Sequence, residues 1–448
     1  MIKANLLILG DMTKTLVFHV FSKGVGFFIP FLIARWFGLN QDTDSFFLSY
    51  SVIWFFCIVF SDIGRSLAVP FISEKISQKK SSTDFINSIM SFIIIFLLVL
   101  YIFFLCTFKP ILSTITGLSL ETTNHIYIMS IILFPTIIFL AMSGFLEGFT
   151  NQSKNFLLPP IALTIRSLSI IAILFALKDI LKIYSIAFSY LIGEFIYLVT
   201  LLTATNKILN FKYRLSFKKT VETMVFLKKS IYHFFYVAFT AGCSLVDKLS
   251  ASFLSIGSIS YITYCEKIYL VFFNLLSLIP ARILLSYWSE EYYSKPNNHN
   301  LISKIIKTSL VIIIFFTMVC TILSYYSFEI TKLFFLKGVF LNKDDILMVS
   351  KLTKIAIYTL LPTTIMLIIT RYYLILQDTK TLMKVGLFKI VLNIAGNIIG
   401  IKYFGIIGII WSLLIHQWTS TLVLLGILIV RNTTLGNHKV SIIKKLDL

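Results

Sequence analysis

Apolar runs of about 20 residues recur along this chain, each long enough to cross the hydrocarbon core of a bilayer, and nothing else constrains the fold as strongly. The stretches 85–107 and 405–430 contain no Asp, Glu, Lys or Arg at all. Over 448 residues the chain is 57% hydrophobic and 13% charged, where soluble domains sit near about 45–50% and about 25%. A soluble domain of this size has too little interior to hide that much hydrocarbon, so a soluble fold is excluded. Helices are the economical spanning element, because each satisfies its own backbone hydrogen bonds in lipid. Barrel strands would alternate polar and apolar residues with a period of two, and these runs are apolar all round. The reading is an all-α polytopic membrane protein with about twelve transmembrane helices, near 13–36, 45–72, 85–107, 125–148, 156–177, 184–205, 231–254, 261–288, 308–326, 352–374, 385–401 and 405–430. The first run, from about Thr15 to Phe37, lacks a following small-residue cleavage site and reads as an uncleaved first span.

Loop charges orient the chain. With the amino end inside, the inner segments hold 22 Lys and Arg and the outer segments 8, counted from the sequence. That bias follows the positive-inside rule and predicts both termini in the cytoplasm. Topology therefore accounts for most of the net charge of +20, and no soluble module is left over to bind nucleic acid. The stretch 206–230 carries seven basic residues and divides the spans six and six. The expected organisation is a six-helix lobe over 1–205, a basic cytoplasmic linker over 206–230, a second six-helix lobe over 231–430 and a cytoplasmic tail over 431–448. Cys57, Cys106, Cys243, Cys265 and Cys320 all fall inside apolar runs with no CxxC spacing, so neither a disulfide framework nor a metal site is expected.

Ten basic residues lie within or at the edges of spans: Lys23, Arg35, Arg65, Arg166, Lys248, Lys267, Arg282, Lys354, Arg371 and Lys389. Asp44, Asp62, Glu147, Glu194, Asp247 and Glu266 accompany them. Each charge near the bilayer centre costs at least about 2.5–3.5 kcal/mol. For Arg35, Arg282, Lys354 and Arg371, snorkelling to an interface explains the position as well as function does. Lys23, Lys248 and Lys267 lie deeper or beside an acid, and a hydrated, mainly cationic cavity between helices accommodates them best. Such a cavity suits an anionic substrate.

The two halves share a motif. Phe134-Pro135-Thr136-Ile137-Ile138-Phe139-Leu140 in span four matches Leu361-Pro362-Thr363-Thr364-Ile365-Met366-Leu367 in span ten, 227 residues later. Six spans separate the copies, an even number, so the repeat is parallel: two six-helix bundles around a central cavity, an architecture for alternating access. Pro135 and Pro362 interrupt the backbone ladder in mid-span and serve equally as hinges or as packing kinks.

Several stretches resemble the multidrug/oligosaccharidyl-lipid/polysaccharide exporter superfamily, and its MurJ/MviN-type lipid II flippases in particular. Ser22-Lys23-Gly24-Val25-Gly26-Phe27 through Ile33-Ala34-Arg35-Trp36-Phe37-Gly38 is similar to that family's first-helix signature, and Thr43-Asp44-Ser45-Phe46-Phe47 to the motif after it. Ala251 to Ser260, followed by Tyr264-Cys265-Glu266-Lys267, resembles a segment that ends in Tyr-Ala-Asp-Arg in the family. Leu333 to Phe340 and Leu376-Gln377-Asp378-Thr379-Lys380-Thr381 look like its outer loop and its Gln-Asp turn. The departures are Ile29-Pro30 where the family has Arg-Asp, and Cys57 and Ile58 where it has a basic pair, with Arg65 two turns later as a substitute. MurJ-type proteins also have two further helices after the twelfth, and the end at Leu448 shifts weight toward Wzx-type flippases of polysaccharide repeat units.

The resemblance implies a flippase in the bacterial cytoplasmic (inner) membrane that carries an undecaprenyl-pyrophosphate-linked saccharide, lipid II-like or a polysaccharide unit, from the inner to the outer leaflet. Leaving water with an unpaired pyrophosphate is expensive, and cationic side chains in a hydrated groove lower that barrier. The candidates for the substrate are Lys23, Arg65 and Lys267, with Lys248 secondary. Asp44 is expected to pair with Lys23, and Glu266 with Lys267, when substrate is absent. Lys389, Asn393 and Asn397 recur at i, i+4 and i+8 on one helix face. The two Asn with Asp247 form a candidate site for a coupling cation, against the simpler reading of interhelical hydrogen bonds. Glu194 is a candidate proton carrier. No ATPase motif is present, so the expected drivers are Na+, H+ or the membrane potential, with no cofactor and a functional monomer. The rival classes are a drug or organic-cation antiporter, which predicts acids dominating the cavity, and a membrane-embedded glycosyl- or acyltransferase, which predicts a catalytic loop with carboxylates or His.

Overall fold

The computed structural model describes the backbone of residues 41–78, 82–116, 120–218, 220–251, 253–254, 258–294, 301–335 and 343–446, with scattered positions between 10 and 37. No strand occurs among the described residues. In chain order the helices are α1 (Gln41–Asp62), α2 (Ala68–Ser77), α3 (Ser82–Thr116), α4 (Leu120–Leu133), α5 (Pro135–Gln152), α6 (Leu158–Leu181), α7 (Tyr184–Leu209), α8 (Val221–Ala251), α9 (Ser258–Phe272), α10 (Ile279–Ser294), α11 (Leu301–Tyr325), α12 (Ser327–Phe335), α13 (Lys343–Ala356), α14 (Leu360–Ile375), α15 (Thr379–Phe404) and α16 (Ile406–Leu446). Wider π-helical turns, Ile63–Leu67 and Phe273–Leu278, join α1 to α2 and α9 to α10.

Ten helical stretches among the described residues are long and apolar enough to span a membrane. They correspond to ten of the twelve expected spans. Expected span one is described only at scattered positions, among them Thr15, Ser22 and Ile33, and these are helical. Expected span seven is the 31-residue α8, whose apolarity is broken by Asp247 and Lys248. The repeated prolines act alike. Pro135 opens α5 immediately after α4 ends, and Pro362 follows the single 3-10 turn Ile357–Thr359 at the start of α14. The turn after each of these spans contains a left-handed residue, Lys154 (φ 62°) in the first and Gln377 (φ 57°) in the second.

The described chain forms two compact units. The first comprises Met1–Phe234, Arg282–Asn298 and Leu374–Gln377, and the second Phe235–Ala281, His299–Tyr373 and Asp378–Leu448. In the first unit α1 packs on α4 and α5, and α6 pairs with α7. The basic stretch is strapped along α3: Asn87 donates to the Lys212 carbonyl (3.3 Å), and the Ser216 amide donates to Ser91 Oγ (3.0 Å). In the second unit α15 and α16 pair closely, and Cys265, Leu352, Ala356 and Ile410 form one patch of core. Ile314 and Met318 on α11 stay exposed, as side chains turned to hydrocarbon do.

Candidate functional site

In the first unit the charges meet because three glycines let two helices touch. A Cβ on Gly64 would stand 2.3 Å from the Phe145 amide nitrogen, one on Gly144 2.2 Å from the Ser61 carbonyl oxygen, and one on Gly148 2.2 Å from the Gly64 carbonyl oxygen. Only glycine allows that approach. It brings Arg65, on the π-helical turn, against Glu147 on α5. Arg65 Nε lies 2.9 and 2.8 Å from the two carboxylate oxygens, and Nη2 lies 2.8 Å from Oε1. The Tyr197 hydroxyl donates to Glu147 Oε1 at 2.8 Å. One turn before Arg65, Asp62 accepts from Ser66 Oγ (3.0 Å) and contacts His233 Nε2 (3.0 Å).

Further along α5 the same unit includes α10 from Arg282 onward. The Ser286 hydroxyl donates to the Asn151 carbonyl (2.6 Å). The Lys154 amine bonds Glu290 Oε2 (2.7 Å) and sits 3.4 Å from the centre of the Tyr287 ring. Arg282 lies one turn before Ser286, as Glu147 lies one turn before Asn151, and the charges acting on Arg282 are those of Arg65, Glu147 and Asp62. Elsewhere in the unit Glu194 is 2% exposed and ion-paired with Arg166.

The second unit holds two clusters. Glu266 on α9 bonds the Lys248 amine (2.8 Å) and accepts from Ser244 Oγ (2.5 Å), while Lys267 Nζ stands 5.6 Å from the Tyr264 ring centre. The expected Glu266–Lys267 pairing is thus replaced by Glu266–Lys248. Successive residues on a helix point about 100° apart, so a carboxylate reaches the neighbouring helix more easily than the next residue. Asp247 on α8 is 5% exposed, and its Oδ1 accepts from both Asn393 and Asn397 on α15, each at 2.8 Å. Asn397 also donates to Ser250 Oγ (3.3 Å), and Asn393 Nδ2 lies 3.3 Å from His416 Nδ1. Lys389, one turn before Asn393, acts electrostatically on Asp247. Asp247, Asn393 and Asn397, grouped from the sequence as a candidate cation site, do come together.

Of the other sequence candidates, Lys23 lies outside the described residues, and Asp44 belongs to α1 with its side chain outside them. Arg65 is held by Glu147 rather than free. The sequence reading did not single out Glu147, Tyr197, His233, His416 or Arg282 as site residues. One signal was available: Gly144 and Gly148 form a G-x-x-x-G on an apolar helix, the spacing that lets helices approach closely in membranes.

A family model described as "Lipid II flippase MurJ" matches residues 33–446. A probable lipid II flippase MurJ of Buchnera aphidicola subsp. Baizongia pistaciae is 23% identical over 423 residues, covering 89% of this chain and 79% of that protein. One from Buchnera aphidicola subsp. Acyrthosiphon pisum is 27% identical over 429 residues, covering 90% and 80%. Among solved structures, a lipid II flippase MurJ in an inward closed conformation superimposes with a TM-score of 0.66 at 23% identity, covering 94% of this chain and 87% of that one. A MATE transporter in complex with MaD3S superimposes with a TM-score of 0.77 at 12% identity, covering 95% and 96%. At those identities the structural likenesses speak for the fold.

Proposed function

The chain belongs to the lipid II flippase MurJ family, and from that premise we propose that it carries an undecaprenyl-pyrophosphate-linked saccharide of the lipid II type from the cytoplasmic to the outer leaflet by alternating access. The protein is a transporter, not an enzyme. The observation that carries the reading is a family match over residues 33–446, a range that takes in most of both units and the charge clusters described above. The matched family favours a lipid II headgroup over a polysaccharide unit. The likenesses to MATE transporters, at 12–13% identity, speak for the fold and add nothing to the antiporter reading.

The physical task is to move a diphosphate through a medium where an unpaired anion is expensive. Lys267 supplies a cation that no carboxylate bonds among the described residues, and we assign it the leading contact with the diphosphate. Arg65 and Lys248 follow, each held at rest by a carboxylate, Glu147 and Glu266 respectively. Lys23 keeps its proposed part in holding the diphosphate, with Asp44 as its partner when substrate is absent. Asp247 with the amide oxygens of Asn393 and Asn397 is the proposed seat of a coupling Na+, since hard oxygen donors suit such an ion. Glu194, ion-paired with Arg166, keeps its proposed part as a proton carrier, one that requires the pair to open. Both termini in the cytoplasm, an inner-membrane location and a functional monomer complete the proposal.

The test is native mass spectrometry of the purified protein with lipid II and with an undecaprenyl-pyrophosphate polysaccharide unit. Lipid II retained in preference, and weakened about tenfold by Lys267→Gln, supports the reading. Retention of neither lipid by the unmodified protein removes it and leaves the antiporter.

A further inference from the structure

The first unit contains a cation that its own acids do not neutralise. Ser286 to Asn151 and Glu290 to Lys154 set α10 and α5 side by side, running in the same direction, and this register brings Arg282 level with Glu147. Glu147 is nevertheless taken. Its Oε1 accepts from Arg65 and from Tyr197, and its Oε2 from Arg65. Asp62, the other acid acting on Arg282, is engaged by Ser66 and His233. Arg282 itself makes no hydrogen bond or ion pair among the described residues, although it is half-buried and stands in the field of the like-charged Arg65. Snorkelling, one of two explanations open from the sequence, does not fit a half-buried guanidinium level with the Arg65–Glu147 ion pair.

We propose that Arg282 is a substrate-binding residue, which with Arg65 forms a two-arginine receptor for the diphosphate of the lipid, Glu147 being the counter-ion that the diphosphate displaces. The inference rests on the flippase reading above and adds a residue and an exchange to it. Two planar forks match the paired oxygens of adjacent phosphoryl groups, whereas a monophosphate fills only one. In the resting state Glu147 holds one fork and leaves the other open. An arriving diphosphate takes the open fork first and then competes for Arg65. No proton or covalent step is involved, only an exchange of ionic partners.

The experiment uses the full chain in detergent or nanodiscs, with lipid II and undecaprenyl monophosphate as probes. Arg282→Gln is expected to weaken lipid II retention about tenfold, as loss of a charged hydrogen bond does, while monophosphate retention changes less than about twofold. Arg282→Lys, which keeps the charge and loses the fork, should fall between. The melting temperature of Arg282→Gln should stay at or above that of the unmodified protein, because no ion pair is broken and a like-charge contact is relieved. Unchanged lipid II retention in Arg282→Gln overturns the proposal, and so does an equal loss of both lipids with a lowered melting temperature, which marks a structural arginine. If the unmodified protein retains neither lipid, the flippase reading fails first and this inference with it. If lipid II retention responds to Lys267→Gln and not to Arg282→Gln, only this inference fails.

Discussion

Two buried carboxylates in this protein are satisfied in opposite ways. Glu147 in the first unit is gripped by a guanidinium and a phenol, whereas Asp247 in the second is held by two amides. Ion against ion in a low-dielectric interior is stable as a pair and intolerant of losing one member. Asp247 makes no ion pair among the described residues, Lys389 acting on it only through its field, so a carboxylate held by neutral amides has room for a cation partner. The same residue class therefore builds an ionic brace in one place and, in the proposed reading, a cation seat in the other, according to what the neighbouring helix presents.

The sharpest way to break that contrast is Glu147→Gln. It leaves Arg65 without its counter-ion and in the field of Arg282, and thermal unfolding should register a loss of about 3–5 kcal/mol. Gly148→Ala attacks the same brace from the backbone. Its Cβ would meet the Gly64 carbonyl oxygen at 2.2 Å, so α5 must shift, with an expected loss of about 1–3 kcal/mol and weaker lipid II retention. Ser286→Ala removes one rung between α10 and α5 and should lower stability by about 1 kcal/mol. Smallest in stability is Asp247→Asn, which preserves an acceptor oxygen for both amides and should change unfolding by less than about 1 kcal/mol. Its effect should appear instead in function: any Na+ dependence of lipid II flipping in proteoliposomes should vanish. An Asp247→Asn protein that unfolds as readily as Glu147→Gln would erase the distinction between brace and seat.

Much of the helical framework was legible from apolarity alone, because a bilayer forces helices on runs of that length. The face shared by Lys389, Asn393 and Asn397 was legible too, since it depends only on the helical period, and with it the grouping of both Asn with Asp247. The pairing of Arg65 with Glu147 was not read, although both residues stood out as charges in spans. They are 82 positions apart, and the glycines that join them carry no charge to attract notice. Glu266 shows the opposite error: closeness to Lys267 in sequence suggested a pair that helical geometry disfavours. Arg282 was visible as a basic residue, but that it makes no hydrogen bond or ion pair among the described residues depends on the helices around it.

The sequence by itself determined that this chain lives in a bilayer, that it does so as helices, and that cations outnumber acids among its spans. Those properties are sums over residues, and solvent transfer reads them without reference to neighbours. Which cation is ion-paired, which makes no ion pair among the described residues, and which acid is held by amides were decided only by tertiary structure. Electrostatic energy in a membrane interior depends on separations of a few ångströms between helices, and here those separations are fixed by glycines, a π-helical turn and the register of α10 against α5.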